Sequence, residues 1–133
     1  PDQGPIAVDA MGGDGAPQSI VRGALEAVND IGIPVQLVGP QRRLRRELGR
    51  FRMLPSGLEL VDAPDVVGMK DPAISVLRGK RHSSLNVCAE LVREGRATAM
   101  VTAGNTGAAW VAAKYALGLF DGVDRPELAA VVP

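Results

Sequence analysis

The sequence predicts an α/β fold organised around a mostly parallel sheet. Short apolar runs alternate along the chain with segments of helical periodicity, the arrangement of parallel α/β proteins. Two glycine-rich turns each join a strand directly to a helix. With 133 residues, 46% hydrophobic and 23% charged, the chain has enough apolar material for a single globular domain, read as residues 1–133, and disorder is excluded.

The first strand, Ile6 to Val8, runs into Asp9-Ala10-Met11-Gly12-Gly13-Asp14-Gly15-Ala16-Pro17. Pro17 suits a first helical turn, and the helix that follows carries Ile20, Val21, Ala24, Leu25, Val28 and Ile31 on one face before Gly32 closes it. A second strand, Val35 to Val38, ends at Gly39-Pro40, and a short basic helix occupies Gln41 to Leu48. Leu58 to Val61 is the third strand. Pro72 to Leu77 forms a helical turn or two, and a helix spans Ser84 to Glu94 until Gly95 stops it. Thr98 to Thr102 is the fourth strand, followed through Ala103-Gly104-Asn105-Thr106-Gly107-Ala108 by a helix to Leu117. That helix is alanine-rich with one charge, Lys114, which predicts burial on more than one side. Asp121 to Pro126 turns the chain into a final apolar strand, Glu127 to Pro133. A chain that opens at Pro1 without Met and closes on such a run reads as part of a longer one.

Composition narrows the function. Lys plus Arg and Asp plus Glu are both 15, so no basic field points to nucleic acid, and 3% aromatics leave few base-stacking platforms. One cysteine, Cys88, and one histidine, His82, fall short of a zinc pattern, and no cofactor or metal is called for. With no apolar run of the ~20 residues a membrane span needs and no signal peptide, the chain reads as cytoplasmic.

Crossover helices of a parallel α/β unit start at the carboxyl edge of the sheet, where ligands bind. Ala10 to Pro17, Ser83-Ser84 and Ala103 to Gly107 therefore share one rim, and Asp121 to Pro126 lies on the other. Glycines allow close backbone approach, and helix starts offer unpaired N–H groups and a positive dipole end, so both glycine turns are candidate phosphate sites. The binding candidates are Asp9, Met11, Gly12, Gly13, Gly104, Thr106 and Gly107, and the catalytic candidates are Asn105 and Asp14. Asp9 and Asp14 suit orienting donors rather than attacking, since a carboxylate repels phosphate. Each turn also has a plainer explanation in turn geometry and helix capping. No G-x-G-x-x-G is present in the first turn.

Lys80, Ser83 and Ser84 are further binding candidates: Lys80 or Arg81 as a mobile cation over the phosphates, or equally a solvated loop with a serine cap. His82 alone is weak as a catalytic base, and Cys88, among Val87, Leu91 and Val92, is an inert core thiol. Arg42 to Arg52 sets six arginines against one glutamate, either a solvated face or a docking patch for an acidic protein or anionic membrane.

Asp9-Ala10-Met11-Gly12-Gly13-Asp14 with Ala16-Pro17, then Ser83-Ser84, then Ala103 to Ala108, then Asp124-Arg125-Pro126, resemble in order and spacing the N-terminal portion of the PlsX family of bacterial acyl-carrier-protein:phosphate acyltransferases. The resemblance implies transfer of a long-chain fatty acyl group from acyl carrier protein to inorganic phosphate, giving acyl phosphate for phospholipid synthesis. It also implies a three-layer, doubly wound fold related to phosphate acetyltransferases and isopropylmalate dehydrogenases, incomplete in this chain, a homodimer, and peripheral contact with the membrane surface. The family commonly has His where Gly15 stands. A non-catalytic phosphate-binding or docking fragment, and an acetyl-CoA-using phosphate acetyltransferase, are the alternatives.

Overall fold

The computed structural model describes residues 4–131. Strands β1 (Ile6–Asp9), β2 (Val35–Gly39), β3 (Leu58–Asp62) and β4 (Ala99–Val101) form one sheet in the order β3-β2-β1-β4, with every pairing parallel. The chain steps outward from β1 to β3, then returns to the other side of β1. Strand order thus reverses between β1 and β4, and such a switch point leaves a crevice at the carboxyl ends of its two strands.

Helices α1 (Gln18–Glu26) and α2 (Gln41–Leu48) cover one face of the sheet, where Val21, Ala24, Leu25, Leu44 and Leu48 pack on Val35 and Leu37. Helix α3 (Ser84–Arg93) covers the other, with Cys88 and Leu91 against Ala7 and Val38. Leu37 and Val38 point to opposite layers because successive strand residues alternate, so β2 at the centre of the sheet is buried on both faces, while the edge strand β4 leaves Val101 exposed. Helix α4 (Thr106–Leu117) packs beside α3 through Ala108 and Ala112, which meet Leu85, Ala89 and Val76 of a 3-10 turn, Ala73–Val76. No helix among the described residues is long and apolar enough to cross a membrane.

Three expectations are corrected. The first helix does not run regularly to Ile31: after Glu26 it widens into a π-turn, Ala27–Ile31, before Gly32 ends it at φ +75°. The wider turn breaks the 3.6-residue register, so Ile31 faces solvent at 70% exposure instead of joining Val28. Among the described residues, helix α4 is fully buried along the Ala108/Ala112 stripe alone, with Ala109, Val111 and Ala116 partly covered beside it and Tyr115 and Leu117 exposed, so it is not buried on several sides.

The final strand does not form within the described residues. Glu127 to Val131 is irregular, with Leu128 76% exposed, and Val132 and Pro133 lie outside the described residues, as does Pro1. A buried-strand sequence needs a pairing edge and cover on both faces. This segment instead returns along α4, where Trp110 Nε1 donates to the Pro126 carbonyl (3.1 Å).

Candidate functional site

The two glycine turns meet at the switch point. Asp9 ends β1 as a buried carboxylate, 3% exposed; its Oδ1 accepts the Met11 N–H (3.0 Å) and its Oδ2 accepts the Thr102 hydroxyl (2.7 Å). Thr102 Oγ1 in turn accepts the Gly104 N–H (3.0 Å). One carboxylate thereby organises the turn after β1 and, through a hydroxyl, the turn after β4.

The turns approach so closely that side chains are excluded. A Cβ on Gly12 would lie 2.8 Å from Asp9 Oδ2, the Gly104 nitrogen and Thr102 Oγ1, and one on Gly104 would lie 2.9 Å from the Gly12 Cα. Gly13 follows at φ +91°, a backbone conformation that favours glycine. Met11 is buried against the end of β2, where a Cβ on Gly39 would sit 3.2 Å from Met11 Cγ. At the other turn Thr106 and Gly107 open α4, and their N–H groups have no acceptor within the described residues. Backbone donors at a helix start beside a glycine crevice form an anion-binding geometry.

Asn105 sits in this site with its side chain committed to the fold. Its Oδ1 accepts the Ala108 N–H (3.0 Å), capping α4, while Nδ2 donates to the carbonyls of Gly68 (3.2 Å), Met69 (3.4 Å) and Asp71 (2.9 Å). The amide therefore anchors the 68–71 loop over the rim. Lys80 is likewise no mobile cation: Nζ donates to the Val66 carbonyl (2.7 Å) and Asp71 Oδ2 (2.5 Å). Lys80 and the Gly68 N–H hold the Asp71 carboxyl below its ordinary pKa. Lys80 thus connects to the second turn through Asp71 and Asn105.

Ser83 and Ser84 are buried at the start of α3, where Ser83 Oγ accepts the Asn86 N–H (3.4 Å) and the Ser84 N–H donates to the Asp65 carbonyl (3.3 Å). Both serve as helix-start anchors in this structure. Asp14 is exposed and makes no hydrogen bond among the described residues. His82 is exposed, with its backbone N–H on Asp65 Oδ2 (3.0 Å). Burial, and then the Asp9 charge, push the Cys88 thiol well above its ordinary range, as suits a core thiol.

Thr102 and Asp71 are the residues that sequence reasoning passes over. Thr102 has one signal, its place at a strand end two residues before Gly104. Asp71 has a weaker one, an Asp before Pro72 that fits a loop turn.

Residues 5–133 match the family described as "Fatty acid synthesis protein". Similar relatives named "Phosphate acyltransferase" include one from Koribacter versatilis, 52% identical over 131 residues, and one from Anaeromyxobacter sp. (strain Fw109-5), 50% identical over 132. A third, from Pelobacter propionicus, is 47% identical over 128 residues. These alignments cover 96%, 97% and 96% of this chain and 36%, 36% and 37% of the respective relatives, so the chain spans about a third of their length.

Proposed function

The chain belongs to the fatty acid synthesis protein family, and from that premise we propose that the protein transfers a long-chain acyl group from acyl carrier protein to inorganic phosphate, forming acyl phosphate for phospholipid synthesis. The observation that carries the proposal is the contact of Gly12 with Gly104 across the β1/β4 switch point, fixed by Asp9 and Thr102. The name "Phosphate acyltransferase" of the relatives supports the same chemistry.

In this reaction a phosphate oxygen attacks the thioester carbonyl, a tetrahedral oxyanion forms, and the C–S bond breaks with loss of the carrier thiolate. A thiolate is a good leaving group, so positioning and electrostatics supply most of the catalysis. The N–H groups of Gly13, Thr106 and Gly107 are the donors proposed for phosphate and oxyanion, each such donor being worth roughly 2.7–4 kcal/mol in acyl-transfer sites. Asp9 and Asn105 act as positioning residues. Asp9 keeps the two turns together, and Asn105 holds the loop that carries Asp71 and Lys80. Asp14, at the open side of the first turn, and the N-terminal end of α3 at Ser83-Ser84 belong to the rim that the substrate crosses. A homodimer, a cytoplasmic location and peripheral membrane contact complete the proposal on family grounds.

The test is incubation of the full-length protein with phosphate and a long-chain acyl carrier protein thioester, trapping acyl phosphate as its hydroxamate. Phosphate-dependent hydroxamate is expected. Turnover of acetyl-CoA in preference to the carrier-borne substrate would assign it to phosphate acetyltransferases, and no turnover of either would overturn the enzyme reading.

A further inference from the structure

Away from the joined turns, the most strongly charged surface is α2. Arg42, Arg43, Arg45 and Arg46 are exposed, whereas Leu44 and Leu48 are buried in the core. At ~100° per residue, these four fan over about 160° of helix surface opposite the leucines. Glu47 is buried, bonded to Gln18 Nε2 (3.4 Å) and Arg50 (3.1 Å). Among the described residues, Arg50 is the one arginine of the Arg42 to Arg52 stretch paired with a carboxylate. The fold therefore leaves this face cationic.

Its position ties it to the site. Helix α2 starts at the carboxyl edge of β2, where the Gln41 N–H donates to Asp62 Oδ1 (2.9 Å) and Gly39 adjoins Met11. The first turns of α2 thus stand one strand away from the first glycine turn. A bilayer is less well matched than a protein. Both leucines of α2 are in the core, so its exposed face can attract anionic groups but has no apolar side chain to insert. The exposed Phe51, Met53 and Leu54 come after the helix, at the opposite edge of the sheet from the turns.

We infer that the exposed arginine face of α2 is the docking surface for an acidic protein that delivers the acyl thioester to the glycine turns. The inference rests on the acyl-transfer proposal above. Complementary charge at such a rim acts mainly on association rate and its salt dependence.

The test compares kcat/KM of the full-length protein and its R42E/R43E/R46E variant on two thioesters of one acyl chain, on an acidic carrier protein and on uncharged N-acetylcysteamine. With the carrier substrate the variant is expected to lose about 10-fold or more, less at high salt, within the range that electrostatic steering provides. With the N-acetylcysteamine substrate it is expected to match the parent, and R42K/R43K/R46K is expected to retain activity on both. Equal loss on both thioesters, no loss on either, or loss in the lysine variant would overturn the docking surface. So would intact carrier kinetics with lost binding to phosphatidylglycerol vesicles, which would assign the patch to a membrane. A parent protein inactive on both thioesters overturns acyl transfer itself, and the docking inference falls with it.

Discussion

Thr102 Oγ1 donates to Asp9 Oδ2 across 2.7 Å, joining residues 93 apart in sequence at the point where the order of the strands reverses. The same hydroxyl accepts the Gly104 N–H. Replacing Thr102 with Val keeps the shape but leaves a buried carboxylate oxygen and an amide without this partner, an expected cost of about 1–3 kcal/mol. Urea unfolding of Thr102→Val and Thr102→Ser separates hydroxyl from volume: the serine variant should stay near the parent. Equal midpoints for parent and valine variant would show that the bond contributes nothing.

Glycine substitutions should split sharply by position. Gly12→Ala drives a Cβ to within 2.8 Å of Asp9, Thr102 and the Gly104 backbone, so the two turns must separate and both stability and acyl phosphate formation should fall. Gly23→Ala, inside α1 with nothing within 4 Å, should instead stabilise by about 0.5–1 kcal/mol through helix propensity. Thermal melts of the two variants shifting in the same direction would contradict this.

The four strands of the sheet were legible within a residue or two because each is an apolar run bounded by Gly, Pro or a charged loop, whereas the apolar run from Glu127 forms no strand among the described residues. Strand order was not, since the pairing of β4 with β1 joins segments more than 90 residues apart and nothing local to residues 99–101 marks that partner. The role of Thr102 was only faintly signalled, by its place at a strand end, because its partner is 93 residues away and the parallel β1/β4 pairing is what brings them together. The ion pair of Lys80 was hidden because a rim lysine pattern does not reveal that Asp71, nine residues earlier, folds back to take the ammonium. Ile31 failed through local geometry, a π-turn that periodicity cannot register.

Acid should loosen the 66–80 loop in a defined window. Lys80 and the Gly68 N–H lower the Asp71 pKa from its usual 3.8, so the folded loop favours the carboxylate. The contribution is fully present above the unfolded pKa and is lost as pH falls below 3.8 through the folded value. Carboxyl NMR titration should find Asp71 below the ordinary range in the parent and nearer to it in Lys80→Met. An unchanged Asp71 titration in that variant would show that the ammonium is not the cause.

Asn105 does two separable jobs, and two variants divide them. Asn105→Asp retains an oxygen to accept the Ala108 N–H, with a negative charge favourable at a helix start, but cannot donate to the carbonyls of Gly68, Met69 and Asp71. It should keep α4 capped and hold global stability within about 1 kcal/mol while the 68–71 loop opens. Asn105→Ala loses both functions and should cost roughly 0.5–2 kcal/mol from the cap alone. Limited proteolysis and amide exchange at Gly68 provide the readout: both variants should expose the loop, and only the alanine variant should also lower the unfolding midpoint appreciably. Because the loop carries Asp71, the partner of Lys80, over the rim, acyl phosphate formation should fall in both. A protected loop in Asn105→Asp would mean that the amide does not anchor it, and its place as a positioning residue would go with it.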